Sequence, residues 1–218
     1  MRCALNLGKK LKNQAEITLI DKKSYHLFVP ALYEIASAYG IKKDPFAVRL
    51  KKTVCIPYAD IFPANKRINF VQAEVSSIDL ENKKVATRGG EILEYDYLVI
   101  ALGGQAADFG IPGVKEYAFQ FKNLEDGLAL NQKIDQLTKE VASGERQMPI
   151  KIAVVGAGFT GIELAAELAC CVKKLSKACS IKGKCESIML LEAGPRILPM
   201  VSENERNIIL NRLIYKDS

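Results

Sequence analysis

Five stretches of the chain carry the apolar runs expected of β-strands: "EITLID", "NFVQAEV", "YDYLVIAL", "IKIAVVGAG" and "SIMLLEAG". Two of them, Leu98–Leu102 and Ile152–Val155, are apolar without interruption, as parallel strands covered on both faces are. Helically spaced or polar stretches separate the runs, and this alternation predicts an α/β fold. "FVPALYEIASAYG" and "DPFAVRLKKTV" read as helical or irregular, and "DLENKKVATRGGEILEYDY" as a hairpin turning at Gly89 and Gly90. Pro112 and Gly113 open a polar crossing, "IPGVKEYAFQFKNLEDG", that marks a join between domains. Beyond it, "NLEDGLALNQKIDQLTKEVAS" predicts a helix whose start Asn123 or Asp126 can cap. The expected division is 1–122 and 123–218.

The sharpest chemistry lies in "KIAVVGAGFTGIELAAELACCVKKL". Gly156, Gly158 and Gly161 form G-x-G-x-x-G directly after an apolar strand, and a stripe of Ile162, Ala165, Ala166, Leu168, Ala169, Val172 and Leu175 predicts a helix starting at once. In a dinucleotide site the first glycine permits the tight turn and the second admits a pyrophosphate to the backbone. The third lets helix and strand pack closely, with the phosphates on the positive helix end. "SIMLLEAG" then supplies a strand ending in Glu192, placed to accept hydrogen bonds from ribose hydroxyls. A carboxylate there repels a 2'-phosphate, so NADH is expected over NADPH. The spacing from Gly156 to Glu192 is long, and "SKACSIKGKCES" reads as an inserted loop. Arg196 and Pro199 are expected to shape the loop after Glu192.

The first strand repeats part of this unit. "EITLID" ends in Asp21, as the second strand of a βαβ unit ends when it holds an adenosine ribose. Aligning "GKKLKN" with "VKKLSK" places the counterpart of Gly161 about three residues before Met1 and that of Gly156 about eight before it. Residues 1–13 therefore read as the second half of a nucleotide-binding helix. The expected fold is two Rossmann-like dinucleotide-binding domains, the first without its opening strand and glycine loop.

Charge and composition narrow the function. The net charge of +6 comes from scattered lysine pairs, not from a concentrated stripe with interleaved aromatics, which argues against nucleic acid. No apolar run is long enough to span a membrane, and the N-terminal stretch is unlike a secretory signal. A cytoplasmic location with six reduced thiols is expected. His26 is the single histidine, and Cys170, Cys171, Cys179 and Cys185 lack a C-x-x-C knuckle, so no metal site is expected.

Taken together, the two units, "DYLVIALGGQAADFGIPG", "IDKKSYHLFVPALYEIA", "VCIPYADIF" and "FKNLEDG" resemble the type II (non-proton-pumping) NADH:quinone dehydrogenases, flavoproteins with two dinucleotide domains. The resemblance implies hydride transfer from NADH to FAD and on to a quinone. It implies that Asp21 and Lys22 lie at the FAD ribose, that Val75 meets adenine through its backbone, and that Ala101 and Gly103 line the flavin nucleotide. Leu27 to Leu32 would pass near the flavin ring. Gly156, Gly158, Phe159, Thr160, Gly161 and Glu192 would hold NADH. Glu163 matches a glutamate near nicotinamide and quinone; its other reading is a first-turn carboxylate complementing the helix dipole. "SYHLFVPALYEIASAYG" has no cysteine pair, which argues against a dithiol relay. The family acts at the inner face of the cytoplasmic membrane, and a homodimer is implied for the full-length protein. Two alternatives stand beside this one: an NAD(H)-binding module without flavin, and a ferredoxin or sulfide:quinone reductase.

Overall fold

The computed structural model describes residues 1–12, 14–38, 52–62, 68–178 and 186–214. The chain falls into two compact units: Met1–Phe28 with Cys55–Gln105, and Val29–Val54 with Ala106–Ser218.

In the first unit, helix α1 (Arg2–Leu11) leads to strand β1 (Ile17–Asp21). β2 (Tyr25–Leu27) pairs antiparallel with β3 (Cys55–Pro57), which runs into a helical turn, α3 (Tyr58–Ile61). β1 pairs in parallel with β4 (Ile68–Gln72), Ile17 opposite Ile68 and Asp21 opposite Gln72. The run "NFVQAEV", expected as one strand, is divided between two sheets. The Ala73 amide donates to the Asp21 carbonyl at 3.0 Å, closing the parallel ladder. β5 (Val75–Asp79) then starts a separate antiparallel meander with β6 (Lys84–Thr87) and β7 (Ile92–Glu94). Its second turn holds Gly89 and Gly90; Gly90 sits at φ 85°, a conformation that favours glycine, and donates to the Thr87 carbonyl.

The strand expected at Leu98–Leu102 does not form. Residues 98–108 have no regular secondary structure, and Tyr97 and Leu102 are 95% and 73% exposed. An apolar run becomes a strand only where a neighbour satisfies its amides and carbonyls. β1 and β4 form a two-stranded sheet, and no described strand pairs with this run.

The second unit is built on α2 (Leu32–Ser37), α5 (Leu124–Ala142) and a βαβ element: β8 (Ile150–Val155), α6 (Phe159–Ala178), β9 (Glu186–Leu191). A short α4 (Val114–Tyr117) precedes α5, and α7 (Glu203–Ile214) follows β9. β8 and β9 are parallel, Ile150 opposite Glu186 and Val155 opposite Leu191.

The core forms where the helical stripes meet the inner face of this pair. Ile134 of α5, Val154 of β8, Leu164, Ala165, Leu168 and Cys171 of α6, and Ala36 of α2 bury one another. A buried leucine such as Leu168 contributes about 1.5–3 kcal/mol relative to an exposed one. The predicted α6 stripe holds at Ile162, Ala165 and Leu168, and Leu164 and Cys171 widen it.

α5 begins where the capping residues allow. Asn123 Oδ1 accepts from the Asp126 amide at 2.9 Å while Asp126 Oδ2 accepts from the Asn123 amide at 3.0 Å, a reciprocal capping box. One polar residue on its inner face, Asn131, donates from Nδ2 to the carbonyls of Ala36 and Ala38, which α2 would otherwise leave unpaired at its C-terminal end. Gly127 permits this close approach: a methyl there would press on Leu32 Cδ1 at 3.2 Å and Ile35 Cγ2 at 3.3 Å.

Most of "DPFAVRLKKTV", the inserted loop from 179 to 185, Cys179 and Cys185 lie outside the described residues.

Candidate dinucleotide-binding site

The turn from β8 into α6 has the geometry that its three glycines predict. Gly156 adopts φ 99°, and its amide donates to the Leu191 carbonyl of β9 at 2.7 Å, tying the turn to the neighbouring strand. At Gly158 a Cβ would meet nothing within 4 Å, so the backbone is open on that side. At Gly161 a Cβ would fall onto the Gly156 carbonyl oxygen, so only glycine lets α6 lie this close to β8. The Gly158 carbonyl accepts from the Ile162 amide at 3.1 Å, one of the first helical bonds. Phe159 and Thr160 are exposed at the start of α6, whose leading amides have no partner within the helix.

Glu192 follows β9 and folds back onto this turn. Its Oε2 accepts from the Ala157 amide at 2.7 Å and its Oε1 from the Gly194 amide at 3.0 Å. The amides of Gly194, Ala157 and Ala193 hold its carboxyl below the usual glutamate range. Each oxygen retains a second lone pair, so the anchored carboxylate can still accept from a diol.

Glu163 is exposed on α6. α6 begins at Phe159 and has no acidic residue in its first turn, so Glu163 lies beyond the reach of the dipole. Its neighbours are carboxylates and a phenol. Burial, then Glu34, Glu163 and Glu167, push the Tyr33 hydroxyl above the ordinary tyrosine range. Glu167 Oε1 also accepts from Ser37 Oγ at 3.2 Å.

In the first unit, Asp21 ends β1 with both carboxylate oxygens engaged. Oδ1 accepts from the Lys23 amide at 2.9 Å and Oδ2 from the Tyr58 hydroxyl at 2.8 Å. Tyr58 is buried at the start of α3, against the rings of Phe62 and Phe70. Lys22 offers its carbonyl to Gln72 Nε2 at 3.4 Å, and Val75 opens β5 opposite Thr87. Ala101 and Gly103 lie further along the same unit in the irregular stretch, Gly103 at φ 76°. His26 sits in β2 opposite Ile56. Of the segment 27 to 32, Leu27 is half-buried in β2 and Leu32 is fully buried in the second unit. Cys3, Cys55, Cys170 and Cys171 are thiols. No cluster of metal-ligating side chains occurs among the described residues.

Two side chains central to this geometry escaped the sequence reading. Tyr58 lies in a quoted motif, but nothing in the motif says that its hydroxyl reaches Asp21, 37 positions away. Arg206, which the sequence did not single out, holds the loop after Glu192. Its guanidinium donates from Nε to the Ile197 carbonyl at 2.9 Å and from Nη2 to the carbonyls of Val201 at 3.1 Å and Leu198 at 3.5 Å. An arginine amid the polar residues of α7 carries no sequence signal of burial.

Residues 1–217 match the family described as pyridine nucleotide-disulphide oxidoreductase. The type II NADH:quinone oxidoreductase of Staphylococcus saprophyticus is 35% identical over 207 residues, covering 94% of this chain and 48% of the relative. That of Staphylococcus aureus is 38% identical over 192 residues, covering 87% and 45%. The chain thus spans about half the length of these relatives. Among solved structures, NDH2 from Plasmodium falciparum in complex with NADH superposes with a TM-score of 0.73 at 24% identity, over 92% of this chain and 41% of that one. The sulfide:quinone oxidoreductase of Aquifex aeolicus gives 0.73 at 24% identity, over 98% and 46%. These two likenesses concern the fold. With a glycine turn shaped by Gly156 and Gly161, an acid closing the next strand, and a family match along nearly its whole length, the chain belongs to the pyridine nucleotide-disulphide oxidoreductases.

Proposed function

We propose that the chain forms the nucleotide-binding portion of a FAD-dependent NADH:quinone oxidoreductase of the type II kind. The observation that carries this reading is the Gly156–Gly161 turn, closed so tightly that a single methyl at Gly161 would collide with the Gly156 carbonyl. Such a turn admits a pyrophosphate to bare backbone at the positive end of α6. NADH would lie with its phosphates over Gly156, Gly158, Phe159, Thr160 and Gly161 and its adenosine ribose on Glu192. Because backbone amides keep Glu192 ionised, it would accept from both ribose hydroxyls and repel a 2'-phosphate.

In the first unit Asp21, with Lys22 beside it, has the matching chemistry for the FAD ribose, and Val75, Ala101 and Gly103 would line that nucleotide. The functional halves would be 1–122 and 123–218. Bound flavin would supply the two-electron chemistry, accepting a hydride from the nicotinamide and delivering electrons to a quinone. The chain's own part is orientation: Glu163, beside Tyr33 and Glu167, would face the reacting end. A quinone at the inner face of the cytoplasmic membrane, and a homodimer, belong to the same reading. No helix among the described residues is long and apolar enough to cross a membrane.

Calorimetric titration of the chain with NADH, NADPH and FAD tests the proposal. NADH should bind more tightly than NADPH, and Gly161→Ala should abolish NADH binding. Equal affinity for the two pyridine nucleotides would remove the role given to Glu192. NADH binding with no response to FAD would favour the second reading, an NAD(H)-binding module, for which the intact Gly156–Glu192 unit is the supporting observation.

A further inference from the structure

We propose that Arg206 is a positioning residue for the dinucleotide turn, acting through the loop that follows Glu192; the inference rests on the reading of that turn as an NAD(H) site.

Arg206 is 8% exposed, and its side chain meets backbone carbonyls: Ile197, Leu198 and Val201. A buried guanidinium is costly to hold unless its donors are satisfied, and here a fork of fixed geometry draws three carbonyls of one loop to one point. That constraint shapes the loop. Leu198 is held at φ 44°, in the left-handed region that a leucine rarely adopts, with its side chain almost fully buried against Ala157 and Ile162. In that conformation the Leu198 amide donates to the Ala157 carbonyl at 3.0 Å.

Ala157 lies between the first two glycines of the turn. Its carbonyl is held by Leu198, its amide by Glu192, and the preceding Gly156 amide by Leu191. Three bonds from the segment 191–198 therefore fix the turn, and Arg206 secures one of them from the outside. The positive charge of Arg206 has no carboxylate partner among the described residues. A turn held open before the ligand arrives binds it without an ordering cost, and loosening the loop should appear as lost affinity.

The test is calorimetric titration of the chain with NADH, alongside amide hydrogen exchange at Leu198, for the natural sequence and for Arg206→Met and Arg206→Lys. Expected is a loss of Leu198 protection in Arg206→Met together with about tenfold or weaker NADH binding, as for misplacement of a group that orients a ligand. Arg206→Lys keeps the charge but carries its three donors on one nitrogen instead of across the planar fork that spans Nε and Nη2, so it should recover part of the affinity, and a role confined to stability would show no such graded recovery. Unchanged NADH affinity in a folded Arg206→Met whose Leu198 amide exchanges freely overturns the inference. Should Arg206→Met fail to fold, Arg206→Lys decides: full affinity with an exposed Leu198 amide overturns the inference, and weakened affinity supports it. Failure of the natural sequence to bind NADH removes the site reading itself, whatever the variants do.

Discussion

At the scale of single residues, the two acids that the sequence singles out differ in how they are held. Glu192 is held by backbone amides at both oxygens, whereas Asp21 has a backbone amide, Lys23, at one oxygen and a side chain, Tyr58, at the other. Burial, followed by the bond to Asp21 and its charge, pushes the Tyr58 hydroxyl well above its usual value of 10.0. It therefore remains a donor throughout the neutral range. A folded-state value above the unfolded one means that this contribution to stability is complete below pH 10.0 and is lost as the pH rises further. Tyr58→Phe keeps the ring packing on Phe62 and Phe70 but removes the donor. Its expected cost at neutral pH is about 1–2 kcal/mol, read from urea unfolding. The variant should also lose less stability than the natural chain above pH 10.0, which a denaturation series across alkaline pH checks.

Among the elements, the helix starts and packing seams were legible from sequence to different degrees. The start of α5 was readable because capping is local: Asn123 and Asp126 are three positions apart and need nothing distant to bond each other. Asn123→Ala should cost about 1 kcal/mol, and thermal unfolding of the chain reports it directly. The role of Asn131 was not readable. It is a polar residue in a largely apolar stripe, and only the approach of α2 supplies the Ala36 and Ala38 carbonyls that it satisfies. The run at 98–102 is the opposite case: its composition fits a strand, but strand formation depends on a neighbour's ladder, which composition does not encode.

For the molecule as a whole, the described residues pack the βαβ element of the second unit on one face and leave apolar side chains exposed on the other. Ile150, Ile152 and Val154 face the helices, while Val155 and Met189, on the outer face, are 71% and 57% exposed. Adjacent exposed apolar side chains on a sheet favour association in water. Sedimentation velocity should show self-association rising with concentration, reduced by Met189→Lys, which places a charge on that face without touching the glycine turn. The sequence by itself determined the parts whose physics is local: the α/β alternation, the hairpin at Gly89 and Gly90, the cap of α5, and the glycine turn with its terminal acid. Each is readable from residues a few positions apart or from a periodicity carried within one element, even where, as with Glu192 and Ala157, the bond that results spans α6 and β9. Tertiary structure alone decided which strands find partners, that Tyr58 reaches Asp21, and that Arg206 is buried among the carbonyls of a loop bonded to Ala157. The strand pairs, the Tyr58–Asp21 bond and the Leu198–Ala157 bond join residues distant in sequence, while Arg206 reaches carbonyls nearby in sequence only because the loop folds back onto α7; a hydrogen bond depends on where two groups meet in space, not on the residue types along the chain.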